Sequence, residues 1–283
     1  MAQAPDAPVV LRVAGRPVGA YVTRPELPDR LSPRPFLHPV TTLAGTAVTE
    51  LSPADHTHHL GVGVAVPDVE GHNFWGGRTY VRDQGPTELA NHGVQRHTGF
   101  PLCDPDGFVE ELRWTAAGTE LLRERRTVAA TGLTDTAWAL DLTFSLTNAT
   151  SDPVTIGSPA TNGRPGAAYG GFFWRARKED RVPDVLAATG EGEAEVHGRC
   201  ADWVALVGTD WSLVFAGATD ATRRDPWFVR TAEYPGVGSS LASAERLVIG
   251  PGDTAVRRVV TVVADGRLGR AEAAALARKA VAQ

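Results

Sequence analysis

The sequence contains only two cysteines, Cys103 and Cys200, and a single methionine. Two thiols are too few for a disulfide framework, which excludes a small secreted fold stabilised by several disulfides. Isolated thiols in a reducing compartment are most often small buried hydrophobic residues. We expect both cysteines to lie in the core.

Long apolar runs and an excess of basic charge are also missing. The longest apolar runs, such as residues 259–264, are far shorter than the roughly 20 residues that a membrane-spanning helix requires. The 28 Lys and Arg residues against 33 Asp and Glu residues give a net charge of −5, which does not favour binding to a phosphate backbone. We therefore expect no nucleic-acid partner and no membrane partner. The N-terminus lacks a basic start and an apolar stretch, which predicts a cytoplasmic protein.

The composition is typical of a folded protein rich in short strands. Of the 283 residues, 42% are apolar and 22% are charged, which is enough hydrocarbon for a core. The 30 glycines and 20 prolines divide the sequence into short segments rich in β-branched and aromatic residues, as in strands. In WALDLTFSL, residues 138–146, the even-numbered residues are predicted to face the core and the odd-numbered ones a wetter surface.

Helical crossovers between these segments are absent, which excludes repeated βαβ units. The sequence predicts an all-β fold, a large antiparallel β-sandwich with a short C-terminal helix at residues 267–283. No repeat and no linker divides the chain, so we predict one domain over residues 1–283. Residues 1–40 hold eight prolines and are predicted to form N-terminal strands and an extended surface arm.

Histidine is concentrated in one part of the sequence. Seven of the eight histidines lie between positions 38 and 97: His38, His56, His58, His59, His72, His92 and His97. A neutral imidazole can donate or accept a hydrogen bond, bind a metal or exchange a proton near neutral pH. The crowding therefore predicts a functional site.

The densest histidine segment is DHTHHLGVGVAV. If residues 58–66 are extended, alternation places His58 on the core-facing side, whereas His59 shares its side with Gly61 and Gly63. The glycines leave room for a ligand or another backbone to approach closely. The carboxylate of Asp55 is placed to orient a neighbouring imidazole.

Four hypotheses explain the histidines. In the first, they exchange protons with a polar organic substrate, and the catalytic candidates are Asp55, His56, His58, His59, His97 and Glu233. In the second, His56 and His58 hold a divalent metal, Mn, Zn or Fe, with a third ligand such as Glu70. The third is binding without chemistry. In the fourth, the histidines only hydrogen-bond backbone groups.

Aromatic residues and arginines accompany the histidines. Tryptophan faces stack on the C–H surfaces of sugars, and a guanidinium presents a fork to carboxylates or hydroxyls. The candidates for substrate binding are His38, Trp75, Arg175, Trp227 and Arg230. A phosphate-binding GxxxxGK[ST] loop, GxSxG and HExxH are absent, which does not favour ATP, α/β-hydrolase or zincin chemistry.

The segments RPFLHPVTTLAGTAVT, SPADHTHHLGVGVAV, VEGHNFWGG, AYGGFFWRA, CADWVALVG and PWFVR resemble those of the soluble bacterial PmoA-like proteins, which carry the label methane oxygenase. The resemblance extends from Arg16 to Gly266 and includes most of the candidates above, with Asn73 where the family commonly has Asp. It implies an association with sugar oxidation and carbohydrate uptake. It does not imply methane oxidation, because the membrane subunit with that name is a bundle of membrane-spanning helices.

The predicted architecture also looks like the supersandwich of galactose mutarotase-like proteins. In those enzymes a histidine and a carboxylate exchange protons with sugar oxygens, and here Glu233 or Asp225 is the expected carboxylate. We predict a carbohydrate-active lyase, hydrolase or epimerase that performs acid/base chemistry on a carbohydrate or keto-sugar by epimerisation, elimination or glycosidic cleavage. The alternative is a non-catalytic carbohydrate-binding or sensing protein, and the oligomeric state is left open.

Overall fold

The strands of the protein follow the short segments of its sequence. A computed structural model describes residues 7–283. In this range the strands are β1 Val9–Val13, β2 Arg16–Val22, β3 Phe36–Val40, β4 Val62–Ala65, β5 Asp68–Val69, β6 Thr79–Val81, β7 Gly85–Thr87, β8 Val94–Asp104, β9 Gly107–Ala116, β10 Thr119–Thr134, β11 Ala137–Asn148, β12 Val154–Gly157, β13 Gly171–Arg175, β14 Asp184–Ala187, β15 Trp203–Val207, β16 Trp211–Gly217, β17 Trp227–Arg230, β18 Gly236–Ser239, β19 Leu247–Ile249 and β20 Thr254–Asp265. The helices are a 3₁₀ turn at Asp29–Leu31, α1 Glu193–Val196, α2 Asp220–Arg224 and α3 Arg270–Val281.

Two large antiparallel sheets contain most of these strands. One has seven strands in the order β1-β2-β3-β4-β13-β18-β17, and the other has eight in the order β14-β15-β16-β20-β11-β10-β9-β8. The predicted all-β antiparallel sandwich with a C-terminal helix is therefore confirmed. The one-turn helices α1 and α2 were not predicted, because four or five residues are too few for a helical period. Within residues 7–283 no helix is long and apolar enough to cross a membrane.

Strand β11 shows how alternation builds the core. The even-numbered residues from 138 to 146 are buried between the sheets, as predicted. The opposite side is drier than predicted, because α3 packs on it and buries Ala139 together with Ala273. Asp141, also on this side, forms an ion pair with Arg258 at 2.6 Å.

Strand β13 separates the core from the candidate site. All five of its residues are buried, and alternation directs them to opposite sides of the sheet. Phe172 and Trp174 pack against Phe215 of the eight-stranded sheet, with ring centroids 6.2 and 5.6 Å apart. Phe173 and Arg175 lie on the other side of the seven-stranded sheet, where the site forms.

The N-terminal arm is only partly a surface feature. Residues 1–6 lie outside the described part of the chain. From Leu31 to Val40 the chain is mostly buried, so the expectation of an extended surface arm is wrong for these residues. The reason is that β3 pairs with β2 and β4 and that the Arg34 side chain is only 4% exposed. The single domain stays a prediction.

The expectation that the cysteines are buried is wrong. Cys103 and Cys200 are both exposed. Cys103 lies in the C-terminal half of β8, the edge strand of the eight-stranded sheet, where the last residues project into solvent. Cys200 lies in the connection between α1 and β15.

Charged side chains are buried between the two sheets. Glu110, Glu124 and Arg126 occupy inward-facing positions of β9 and β10 and are at most 2% exposed. Arg126 donates to Glu124 at 2.7 Å and to the Tyr21 hydroxyl at 2.9 Å. Glu110 accepts a hydrogen bond from the Tyr21 hydroxyl. A buried charge is tolerated when it is paired and fully hydrogen-bonded, as here.

Replacing Arg126 with Met tests the importance of this network. The substitution leaves the Glu124 carboxylate buried without its counter-charge, and we expect the free energy of unfolding in urea to fall by about 3–5 kcal/mol. Arg125→Met is the matched control, because this neighbour is 57% exposed and lies 3.9 Å from Glu111. Its effect should stay within about 0.5 kcal/mol. Equal effects of the two substitutions would contradict the account.

Candidate functional site

A cavity of about 430 Å³ opens on the side of the seven-stranded sheet that faces away from the eight-stranded sheet. Its wall is formed by the segments 55–59, 75–80, 86–88, 164–169 and 228–234. The volume is in the range of sites for small molecules.

Two successive turns bring three histidines into this wall. The amide of His56 donates to the carbonyl of Pro53, and the amide of His59 donates to the carbonyl of His56, both at 2.9 Å. The ring of His59 is stacked on that of His56 at a centroid distance of 4.6 Å and lies edge-on to that of His58 at 4.8 Å. The turns therefore put three imidazoles side by side at one cavity.

The expected extended conformation of residues 58–66 is wrong at its start. The strand begins at Val62, and Gly61 has a φ of +57°, which breaks the alternation. As a result His58 lines the cavity and does not face the core. A Cβ atom on Gly61 would lie 2.2 Å from the carbonyl oxygen of Leu37, so the glycine makes room for the neighbouring backbone and not for a ligand.

A glycine pair after Trp75 lies directly against His58. A Cβ atom on Gly77, whose φ is +70°, would lie 2.9 Å from Nδ1 of His58. The side chain of Asn73 fixes this turn by accepting hydrogen bonds from the amides of Trp75 and Gly76, each at 2.8 Å. An aspartate at position 73 could accept the same two bonds, so this position has a structural role.

A buried arginine, Arg34, forms a hydrogen bond with the backbone of the histidine segment. Arg34 donates to the carbonyl of His58 at 2.6 Å and to the carbonyls of Leu31 and Ser32. Within residues 7–283 it has no carboxylate within 4 Å. Burial, together with the charge of Arg126, lowers the pKa of Arg34 to about 9, so the guanidinium is still mostly protonated at neutral pH.

A second buried arginine lies beside His59. Arg175 is completely buried and donates two hydrogen bonds to Glu50, at 2.9 and 2.7 Å. Its Nη1 lies 3.5 Å from Nδ1 of His59, and its guanidinium lies 4.6 Å from the ring centroid of Tyr234. Arg175 therefore contacts His59 and Tyr234, which line the cavity, but it does not line the cavity itself.

Burial and these cations keep two of the imidazoles neutral. Burial is the largest cause that lowers the pKa of His58 to about 3, and Arg34 adds to it. The pKa of His59 is also well below its usual value, through burial and then through His58, His56 and Arg175. A neutral imidazole offers one donor and one acceptor nitrogen.

A carboxylate lies beside the third imidazole. Oδ2 of Asp55 is 3.1 Å from Nδ1 of His56, although the pair is outside hydrogen-bonding geometry. Burial opposes ionisation of Asp55, but His56 and Arg175 outweigh it and lower the pKa of this carboxyl. Asp55 is therefore ionised at neutral pH and can stabilise positive charge on His56.

The tyrosines of the site were not predicted from the sequence. Three of the four tyrosines in the chain line the cavity: Tyr80, Tyr169 and Tyr234. The low number of tyrosines in the sequence is the one feature that could have drawn attention to them. Burial raises the pKa of Tyr169 and of Tyr234. Both phenols are therefore protonated at neutral pH and can donate hydrogen bonds.

Charges of both signs surround the mouth of the cavity. Arg78, Arg164 and Glu88 line it and are exposed, and they too were missed by the sequence analysis. Arg230 lies 3.7 Å from Glu193. The mouth is therefore polar without a strong excess of either sign.

Seven of the predicted site residues line the cavity: Asp55, His56, His58, His59, Trp75, Arg230 and Glu233. The structure brings them together, and their roles stay predictions. The histidines among them all come from the segment 55–59, and the candidates His38 and His97 from other segments do not line the cavity.

Three other predicted residues do not line this cavity, so their expected place is wrong for His38 and His97, whereas Trp227 lines a second cavity. His97 is buried between the sheets and contacts Glu110 at 2.7 Å. His38 bonds to the hydroxyl of Thr49 at 3.0 Å, and Trp227 is buried and donates to the carbonyl of Ala201. Each of these side chains makes contacts that stabilise the fold.

The alternative carboxylates are also engaged elsewhere. Asp225 accepts hydrogen bonds from Arg257, the shorter at 2.5 Å, and it does not line the cavity. Glu70 accepts a hydrogen bond from the amide of Thr155. Neither carboxylate is available to the histidines, and the carboxylates that line the cavity are Asp55, Glu88 and Glu233.

The third ligand suggested for a divalent metal, Mn, Zn or Fe, does not lie beside the two histidines. The ring centroids of His56 and His58 are 5.8 Å apart, but Glu70 is bonded to the amide of Thr155. In the described chain, residues 7–283, no group of three or more His, Cys, Asp or Glu residues is placed to hold a metal ion. The metal stays a prediction.

Replacing Gly77 with Ala tests the contact with His58. The added methyl group meets the His58 ring in a backbone conformation that favours glycine, so we expect a loss of about 1–3 kcal/mol beyond that of the control. The control is Gly71→Ala, which has a similar φ of +79° and open space around the added Cβ. Urea unfolding measures both. Equal losses would show that the turn does not press on His58.

Acidification should destabilise the protein through the buried imidazoles. His58 and His59 are neutral when folded but take up protons below about pH 6.5 when unfolded. The unfolded state therefore binds more protons, and the free energy of unfolding falls as the pH drops from 7 to 5. Urea unfolding of a His58→Gln, His59→Gln double variant should show a weaker pH dependence, whereas His72→Gln should match the wild type. An undiminished dependence in the double variant would refute this.

The chain has distant likenesses among solved structures. An α-galactosidase from Lactobacillus brevis is 10% identical with a TM-score of 0.43, over 88% of this chain and 39% of that chain. A polysaccharide lyase is 11% identical with a TM-score of 0.39, over 94% of this chain and 34% of that one. The heparan sulfate lyase HepC from Pedobacter heparinus is 11% identical with a TM-score of 0.37, over 89% and 34%. The chain thus spans between a third and two fifths of their length, and likenesses this distant say nothing about activity.

The sequence itself has a clearer relation. No curated protein matches it, and the resemblance to PmoA-like proteins stays an expectation. Residues 8–278 match the model of DUF6807, a family of unknown function. Because this match covers nearly the whole chain, the protein belongs to that family.

Proposed function

We propose that the protein is a sugar-active enzyme whose histidine cavity transfers protons on a bound carbohydrate or keto-sugar. The observation that supports this most is the grouping of three imidazoles at one cavity, together with an ionised carboxylate and protonated phenols. Such a set offers acceptors and donors within the space of one small molecule.

The wall of the cavity suits a carbohydrate. The rings of Trp75, Tyr169 and Phe228 form an aromatic wall, with Trp75 and Tyr169 4.6 Å apart and Tyr169 and Phe228 5.5 Å apart. Aromatic faces pack against the C–H groups of a sugar ring. Arg230 and Glu233 at the rim supply a donor and an acceptor for hydroxyl groups.

His56 is the proposed base. Its side chain is 30% exposed and lines the cavity, so a substrate can reach it. The carboxylate of Asp55 lies on the Nδ1 side and would stabilise the imidazolium that forms when Nε2 accepts a proton. This arrangement separates the proton acceptor from the group that balances its charge.

His59 is the proposed donor. A guanidinium only donates hydrogen bonds, so the approach of Arg175 to Nδ1 of His59 assigns that nitrogen as the acceptor. The ring proton then lies on Nε2. With the phenol of Tyr234, whose ring centroid is 5.1 Å from that of His59, this N–H would donate to an oxygen of the substrate. Preoriented donors stabilise negative charge that develops on such an oxygen.

These roles account for two of the predicted reactions. His56 would remove a proton from a carbon next to a keto group, and the resulting enolate oxygen would accept hydrogen bonds from His59 and Tyr234. Delivery of a proton from water to the other face of that carbon, while the proton on His56 passes to solvent, gives epimerisation. Loss of a leaving group from the next carbon gives elimination, and protonated His56 returns its proton to that group.

The alternative is a non-catalytic carbohydrate-binding protein. One observation favours it, because an imidazole with a pKa of about 3 is a weak base, as is the case for His58. Binding without proton transfer would need the same aromatic wall but not the pair of Asp55 and His56.

The test is deuterium exchange in heavy water. The protein is incubated with keto-glycosides, and NMR measures deuterium at the carbon next to the carbonyl and any product. Wild type should catalyse exchange, and His56→Gln should lower its rate by about 10²–10⁴-fold, with the affinity measured by calorimetry nearly unchanged. His72→Gln, outside the cavity, should behave as wild type.

The other outcomes decide between the hypotheses. Binding of the sugars without exchange or product supports the non-catalytic alternative. Exchange that persists in His56→Gln shows that another group is the base. If no sugar binds, both the enzyme and the binding protein are wrong.

A further inference from the structure

A second cavity, of about 320 Å³, lies next to the histidine cavity. The ring of Phe228 lines both cavities, so at this point they are separated by a single side chain. Around the second cavity the lining residues are small, aromatic or hydroxylated, and none is an Asp, Glu, Lys or Arg. Its chemistry is therefore neutral, in contrast to the charged mouth of the first cavity.

The segment 164–169 forms the rest of the partition. Tyr169 faces the histidine cavity, and Ala168 faces the second cavity. The carbonyl of Gly166 accepts hydrogen bonds from Arg230 at 3.1 Å and from His197 at 2.8 Å. Arg230, which lines the first cavity, and His197, which lines the second, therefore both bond to this carbonyl and stabilise the partition.

The polar side chains of the second cavity are one histidine and two serines, His197, Ser240 and Ser243. Both ring nitrogens of His197 are engaged, because Nδ1 accepts from the amide of Val229 at 3.1 Å and Nε2 donates to Gly166. Ser240 lines the cavity and is only 2% exposed, and its amide donates to the carbonyl of Pro226 at 3.0 Å. Ser243 adds a second hydroxyl to the wall.

We propose that the second cavity is a subsite for the uncharged second unit of a glycoside, a sugar or an aryl group, whose first unit occupies the histidine cavity. The inference rests on the proposed function of the first cavity. An absence of charged groups favours a neutral unit, since a charged one would lose its hydration without gaining a partner. The Phe228 ring and the hydroxyls of Ser240 and Ser243 suit a flat or ring-shaped group with polar edges.

The two cavities are arranged for a ligand of two units. Phe228 is common to both, and the outer part of the partition, residues 164–166, is exposed. A short glycosidic linkage would cross the partition at this exposed edge and place one unit on each side. The second unit would then add binding energy without touching the histidines.

The experiment compares two probes that differ only in the second unit. Calorimetry measures the dissociation constants of methyl and 4-nitrophenyl glycosides of glucose, galactose and xylose. The variant Ala244→Leu adds bulk at an exposed residue of the second cavity, so its folding is not at risk. Ala168→Leu does the same from the partition. Ala188→Leu, at an exposed position away from both cavities, is the matched control.

We expect wild type and Ala188→Leu to bind a 4-nitrophenyl glycoside about tenfold or more tightly than the methyl glycoside. In Ala244→Leu and Ala168→Leu this advantage should disappear, while the affinity for the methyl glycoside stays within about twofold. An advantage that survives in both variants, or no advantage in wild type, overturns the subsite. If wild type binds no methyl or aryl glycoside, the proposed function fails, and the subsite fails with it.

Discussion

Removal of the imidazoles of His58 and His59 from water, next to cations, is the constraint on which the site depends. Each ring loses hydration on burial, and a positive charge on it would also be repelled by Arg34 or Arg175. Both effects favour the neutral ring. The cations are retained because backbone carbonyls stabilise Arg34 and the Glu50 carboxylate stabilises Arg175. The neighbouring His56 is less enclosed and has the carboxylate of Asp55 beside it, so the three rings differ in their surroundings.

The packing of the sandwich positions the groups around these histidines. Strand β13 places Trp174 in the core and Arg175 on the opposite side, so the packing of the two sheets also fixes the guanidinium beside His59. The segment around Arg34 enters the buried strand β3, and it holds the backbone of His58 through a 2.6 Å hydrogen bond. The glycine turn after Trp75 then closes against the ring of His58. Each histidine is thus positioned by residues that are distant in sequence.

The alternation of apolar and polar residues in the sequence predicted the sheets well, whereas the spacing of the histidines predicted the site only in part. Alternation in residues 138–146 identifies the core face because each residue's direction depends on its immediate neighbours. The same rule failed at residues 58–66, since Gly61 has a φ of +57° and lies against the backbone of Leu37 in another strand. The crowding of histidines correctly indicated the segment 55–59, but it also suggested His97. His97 contacts the buried Glu110 of β9 instead, and the spacing of the histidines gives no sign of this contact. The tyrosines and Arg34 reach the site from separate segments, which no spacing within one segment can show.

The protonation states of His58 and His59 can be measured directly by NMR, and they test whether these imidazoles are neutral in the folded protein. In protein labelled with ¹⁵N at histidine, the ring nitrogen resonances can be followed from pH 8 to pH 5 and assigned with single histidine variants. We expect His58 and His59 to keep the chemical shifts of neutral imidazole throughout, with the His59 proton on Nε2. Titration of either ring with a midpoint near its ordinary value of about 6.5, or a His59 proton on Nδ1, would contradict this expectation.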